Sequence, residues 1–98
     1  MILIDVYKEL INIHGHAGAA QHGQSVPCEA VTVLCNSIAA SMHHITFQPE
    51  KILCFKSGKF KLNRKGLTTE SDLLVRSFLL ALEIVSEAYP EYIRMTEL

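Results

Sequence analysis

The stretch Met1-Ile2-Leu3-Ile4-Asp5-Val6-Tyr7-Lys8-Glu9-Leu10-Ile11-Asn12-Ile13-His14 decides how the rest of the chain is read. Ile2, Ile4 and Val6 point one way and Leu3, Asp5 and Tyr7 the other, which is the period of a half-buried strand. After Lys8-Glu9 the alternation resumes at Ile11 and Ile13. A two-residue turn at Lys8-Glu9 pairs Val6 with Ile11 and Ile4 with Ile13. In that register all five apolar residues share one sheet face. Lys-Glu is not a favoured turn pair, so the hairpin rests on the apolar pattern rather than on turn chemistry.

Outward from this hairpin, Gly15 to Gln24 is short of large apolar side chains and holds Gly15, Gly18 and Gly23, the composition of a flexible loop. From about Pro27 to Met42 the residues Cys28, Val31, Cys35, Ile38 and Met42 recur at steps of three and four, one helical stripe. Ser25 is placed to cap this helix and Pro27 suits its first turn. Ile52 to Lys56 and Lys59 to Asn63 flank Ser57-Gly58, a good hairpin turn. That register pairs Phe55 with Phe60 and Leu53 with Leu62 on one face, with Cys54, Lys56, Lys59 and Lys61 on the other. A second helix is expected from about Thr69 to Ala88, with Thr69 and Asp72 as a capping box and Pro90 beyond its end. Its apolar surface, from Leu73 through Phe78 and Leu80 to Val85, is wider than one stripe. It is therefore either central in the fold or shared with a partner chain. Tyr92 to Glu97 can add a short last strand. The expected fold is a two-layer α+β domain over residues 1–98: an antiparallel four-stranded sheet in ββαββα order, with both helices packed on one face.

Composition narrows the function classes. The chain has 98 residues, which fits one domain, and 49% hydrophobic residues, enough for a core. A formal net charge of -1 gives no global reason to bind nucleic acid or anionic lipid. The apolar runs are too short and interrupted for a transmembrane helix. Met1 to Asp5 lack the basic region and cleavage site of a signal peptide, so the cytoplasm is the expected compartment. Three cysteines cannot all pair within one chain, and in a reducing compartment they read as thiols.

Of the three, Cys28 carries the chemistry. It falls in the first turn of the expected helix, where unpaired backbone N–H groups and the helix dipole favour a thiolate. A nucleophilic cysteine also needs a base, usually an imidazole. His16 stands at the end of the second strand, and the glycine-rich loop leads from it back to the helix start, so the two side chains can meet across the loop. N–H groups near Cys28 are placed to stabilise the oxyanion of acyl transfer. The plainer alternative is that Cys28 merely continues the core stripe and His16 is a loop residue. A metal site is the chemical rival, because His14, His16, His22 and Cys28 are zinc-ligand types. Their spacing matches no common structural zinc pattern, and no metal or organic cofactor is expected. His14 reads as a solvated strand histidine, His43 and His44 as surface residues at a helix end, Cys35 as core and Cys54 as lying on the open sheet face. Lys51, Lys56, Lys59, Lys61, Arg64 and Lys65 make a basic stretch, read as the solvated face of a sheet with lysines guarding an edge. No aromatic residue is interleaved on that face for base stacking, so a nucleic-acid partner is not expected.

Gly15-His16-Ala17-Gly18, then Gly23 and Cys28, then Ala30-Val31, resembles the signature of the ribosomal-processing cysteine protease family, Prp. That signature is a Gly-His-Ala motif followed by a Gly-x-x-x-x-Cys element opening a helix. Tyr89-Pro90-Glu91-Tyr92 after the leucine-rich helix is similar to the family's carboxyl end. The resemblance spans nearly the whole chain, with a shorter first hairpin than is typical. It implies that His16 and Cys28 form a catalytic dyad and that the chain forms a homodimer. Gly15, Ala17, Gly18, Gly23, Ser25 and Thr32, in or beside the motif, are expected to support the site or bind substrate, and His22, placed in the loop where it can meet substrate, reads first as a surface histidine. The resemblance further implies a substrate: the N-terminal extension on the precursor of a large-subunit ribosomal protein, the twenty-seventh in standard numbering. Three positions depart from the family pattern. Ser25 stands where an acidic residue is usual, Pro27 where an aliphatic one is, and Thr32 where a serine is common. A diverged, non-catalytic dimeric binding module is the alternative these changes raise.

Overall fold

The structure is a computed structural model and describes residues 1–15 and 26–98. The first hairpin forms as its alternation dictates. Strand β1 (Ile2–Val6) pairs antiparallel with β2 (Leu10–His14), Ile4 opposite Ile13 and Val6 opposite Ile11. Tyr7 N–H donates to Leu10 O at 2.8 Å, closing the turn over Lys8-Glu9. Ile2, Ile4, Val6, Ile11 and Ile13 are all buried.

Helix α1 runs Val26–His44, two residues longer at its end than the apolar stripe. Its buried side chains Val31, Cys35, Ile38 and Met42 lie on one face, in the spacing of the sequence. A short 3-10 turn, Pro49–Lys51, leads into β3 (Ile52–Lys56) and β4 (Lys59–Asn63). Phe55 pairs with Phe60 as expected, but Leu53 does not pair with Leu62. A bulge between Ile52 and Cys54 puts Ile52 opposite Leu62 and leaves Leu53 exposed. The physical reason is that β3 is an edge strand, where an extra residue costs no second ladder.

Helix α2 spans Thr69–Ala88, and its cap sits one residue earlier than expected. Thr68, not Thr69, accepts a hydrogen bond from Ser71 N–H at 3.1 Å. Gln48 holds this cap from outside the helix: its Oε1 accepts from Thr68 N–H at 3.0 Å and its Nε2 donates to Gly66 O at 3.1 Å.

The expectation of four antiparallel strands is corrected. Among the described residues the sheet has five strands in the order β3-β4-β2-β1-β5, and β5 (Ile93–Glu97) lies parallel to β1. β4 runs parallel to β1, since each is antiparallel to β2. Thus β4-α2-β5 is a crossover unit, and a helix is the connection that lets a chain re-enter a sheet in the same direction. β2-α1-β3 is a second such crossover, by the same reasoning. The core lies between one sheet face and the two helices, where Val75, Phe78 and Leu82 of α2 join the α1 stripe, Phe60, Leu62 and Ile93. No helix among the described residues is long and apolar enough to cross a membrane.

Candidate active site at the start of the first long helix

Cys28 is the third residue of α1 and half-buried, set against the edge of the core. The first N–H groups of a helix have no intrahelical partner and carry positive potential, and Cys28 belongs to that first turn. Three walls meet around it to form a cavity of about 590 Å³. Among the described residues, Ile2, Ile13 and Phe60 provide an apolar floor from the sheet. Cys28, Val31, Thr32, Cys35 and Asn36 provide the α1 wall, and Phe55 to Lys59 at the tip of the second hairpin provide the facing wall. Thr32 follows Cys28 by four residues, one helical turn, which is why both reach the same cavity.

Gly15, which follows β2 directly, also lines the cavity. Its N–H donates to Gly58 O at 3.0 Å, which ties the end of β2 to the tip of the β3–β4 hairpin. Its φ is 95°, in the left-handed region, and a Cβ there would collide with the Met1 carbonyl. The conformation and the close approach each demand glycine. Gly58, with φ of 74°, supplies the turn the hairpin tip needs.

Of the remaining residues singled out in the sequence, His16, Ala17, Gly18, His22, Gly23 and Ser25 lie outside the described residues, as does the span 19–24. His14 does not enter the cavity. Its Nε2 lies 3.2 Å from Oδ2 of Asp5 on the sheet face away from the helices. That partner was legible in the hairpin register, which puts Asp5 and His14 on one face of adjacent strands. His43 and His44 are exposed at the far end of α1, with their rings edge to face. Cys54 is half-buried opposite Lys61 on the open face. Cys35 is buried, and desolvation pushes its thiol up to about 12, so it is inert as a nucleophile. Among the described residues no group of three His, Cys, Asp or Glu side chains is placed to hold a metal.

Sequence reasoning missed the hairpin wall. Ser57-Gly58 is plain as a turn, but no local signal says that it faces Cys28. That follows from the sheet order, which sets β4 beside β2 and so brings the hairpin tip next to Gly15.

The fold has solved relatives. The essential ribosomal processing protease Prp from S. aureus, solved with a covalently linked product peptide, superposes with a TM-score of 0.85 at 18% identity, covering 100% of both chains. The same protease solved with a substrate peptide gives a TM-score of 0.81 at 17% identity, again over 100% of both. SMU.848 from Streptococcus mutans gives 0.72 at 21% identity, over 99% of this chain and 91% of that one. None of the curated proteins matches the sequence. At these identities the likeness speaks for the architecture. The sequence profile of the family described as cysteine protease Prp matches residues 1–94, and with that span covered the chain belongs to the Prp family of cysteine proteases.

Proposed function

We propose that this chain is an endopeptidase in which His16 and Cys28 act as a dyad. Its substrate is the N-terminal extension on the precursor of the twenty-seventh large-subunit ribosomal protein, cut in the cytoplasm. The observation that carries the reading is the position of Cys28: first turn of α1, half-buried, in the wall of a cavity wide enough for several side chains of a peptide. His16 takes the thiol proton as general base. The thiolate attacks the scissile carbonyl, and N–H groups at the helix start receive the oxyanion. Collapse expels the amine of the downstream chain, which takes its proton from the imidazolium, and leaves an acyl-enzyme that water hydrolyses. Gly15 fixes the entrance to the loop. Ala17, Gly18, His22, Gly23, Ser25 and Thr32 support the site or bind substrate. The S. aureus protease is known with a covalently linked product peptide, the kind of species this chemistry passes through. The exposed apolar face of α2 supports a homodimer, since Leu73, Leu80 and Ile84 are each about 60% exposed along it.

The test is to mix the purified protein with a precursor carrying the extension. Cleavage is expected, and Cys28→Ala and His16→Ala abolish it; cleavage that persists in Cys28→Ala ends the mechanism. A second reading, a non-catalytic binding module on the same fold, is favoured by Ser25 in place of an acidic residue and by Pro27. It gains ground if iodoacetamide modifies Cys28 no faster than Cys54 at neutral pH.

A further inference from the structure

Both helices pack on one face of the sheet, and the alternate residues of each strand project from the other. Strand register sets those residues in rows. One row runs Lys56, Lys59, His14, Leu3, Arg94 across all five strands, and the next places Lys61 beside Asn12 and Asp5. Four cations, Lys56, Lys59, Lys61 and Arg94, therefore share this face with one carboxylate. That carboxylate, Asp5, lies 3.2 Å from His14 Nε2 rather than against a lysine. Lys56, Lys59 and Arg94 are exposed, and among the described residues none of the four cations takes part in an ion pair. Lys56 and Lys59 stand directly opposite each other, a repulsion that a bound anion relieves. Edge protection accounts for Lys56 on β3 and Arg94 on β5, but not for Lys59 and Lys61, because β4 is paired on both sides.

The helical layer has the opposite balance. Helices α1 and α2 carry Glu29, Glu70, Asp72, Glu83 and Glu87 against Arg76 as their only Lys or Arg. The net charge of -1 thus conceals a basic sheet face backed by an acidic layer, a field that turns the sheet toward a polyanion.

We propose that the open sheet face docks on the phosphate backbone of double-helical RNA, with Lys56, Lys59, Lys61 and Arg94 meeting phosphates. Among the described residues no Phe, Tyr or Trp occupies a strand position on this face. That removes the stacking platform a single strand needs, but not contact with the backbone of a duplex. Five strands spaced about 4.8 Å apart make a face about 19 Å wide. It is too broad for the major groove of B-DNA, about 12 Å across. It can lie over the wide, shallow minor groove of A-form RNA, which displays 2′-hydroxyls and phosphates. Asn12 and Thr96 offer neutral hydrogen-bonding groups among the cations. A lipid surface fits less well, because large exposed apolar side chains such as Leu73, Leu80 and Ile84 lie on α2 instead. The Cys28 cavity has its floor on the opposite sheet face, so the RNA contact leaves it free and does not depend on the protease reading.

The experiment titrates a fluorescent RNA duplex of about 16 base pairs with the native chain and follows its anisotropy. Log K is expected to fall against log salt with a slope of about -3 to -4, the counterion release of about four phosphates. K59Q and R76Q each remove one positive charge, one from the sheet face and one from α2. K59Q is expected to weaken binding roughly tenfold at about 0.05 M salt and to flatten the slope by about 1, while R76Q changes neither. K59Q also removes the repulsion from Lys56, and its circular dichroism is expected to match that of the native chain, which excludes loss of fold. Absence of salt-dependent binding by the native chain overturns the proposal, as do equal losses in the two variants. Equal affinity for a DNA duplex of the same sequence, or binding to phosphatidylserine vesicles without binding to the RNA, overturns it as well. Cys28→Ala is expected to bind the duplex as the native chain does, so the RNA contact and the proteolysis fail separately.

Discussion

Single residues carry costs that substitution can expose. Phe47 has a φ of 56° and is 76% exposed, so it holds a left-handed conformation without burial to offset it. Phe47→Gly is expected to stabilise the protein by about 1 kcal/mol, the relief of that strain, as a rise in the urea midpoint; a fall shows that the ring contributes more than its exposure implies. Gly15 is the opposite case. Gly15→Ala adds a Cβ against the Met1 carbonyl at a φ of 95° and displaces the residue that precedes His16. The expected outcome is a drop in kcat larger than the loss of stability explains, read by comparing kcat at a temperature where both proteins are folded. The buried thiol of Cys35 predicts a pH dependence. Its proton leaves near an ordinary value of 9.0 in the unfolded chain and near about 12 in the folded one. Between these values the folded state keeps a proton that the unfolded state has lost. The contribution is therefore complete below 9 and fades as the pH rises toward 12. The stability gap between the native chain and Cys35→Ala, measured by urea unfolding, narrows across that window, and a constant gap refutes the account.

At the scale of elements, the helix starts decide more than the helix interiors. Thr68 satisfies one of the orphan N–H groups of α2, and Gln48, twenty residues earlier in the chain, accepts from the N–H of that cap. Thr68→Ala is expected to cost about 1 kcal/mol. Gln48→Ala costs less on its own, and the two losses fail to add, because they share one network. A double-mutant cycle in urea that gives strict additivity shows the Gln48 contact to be idle. The start of α1 matters for chemistry instead: it brings Cys28 to the cavity, while Val31 and Cys35, one and two turns on, anchor the helix in the core and keep that end in place.

For the whole molecule, two crossover connections set the function. β2-α1-β3 carries the chain from the end of β2, over the sheet, to the edge beyond β4. The hairpin that follows folds back so that its tip meets Gly15. The cavity exists only because three segments distant in sequence close around it. The apolar face of α2 is left outward, where Leu73, Leu80 and Ile84 are exposed. As a consequence of the proposed homodimer, Leu80→Glu is expected to convert a dimer to a monomer in sedimentation velocity while the helical signal in circular dichroism is retained. A native chain that sediments as a monomer at micromolar concentration disposes of the dimer.

Much of this was legible from side-chain periodicity, because burial imposes it on each element separately. The alternation of Ile2 to Ile13 set the first hairpin's register, the three-and-four spacing from Val31 to Met42 set the buried face of α1, and Cys28 at the head of that stripe named the nucleophile candidate. Pairing partners along a sheet's free edges leave weaker traces. That β5 joins β1 in parallel, that Leu53 bulges out, and that the Ser57-Gly58 turn lines the same cavity as Cys28 were decided only by tertiary structure. Periodicity reports which side of an element faces the core, whereas strand order depends on which edges remain open once the helices have crossed.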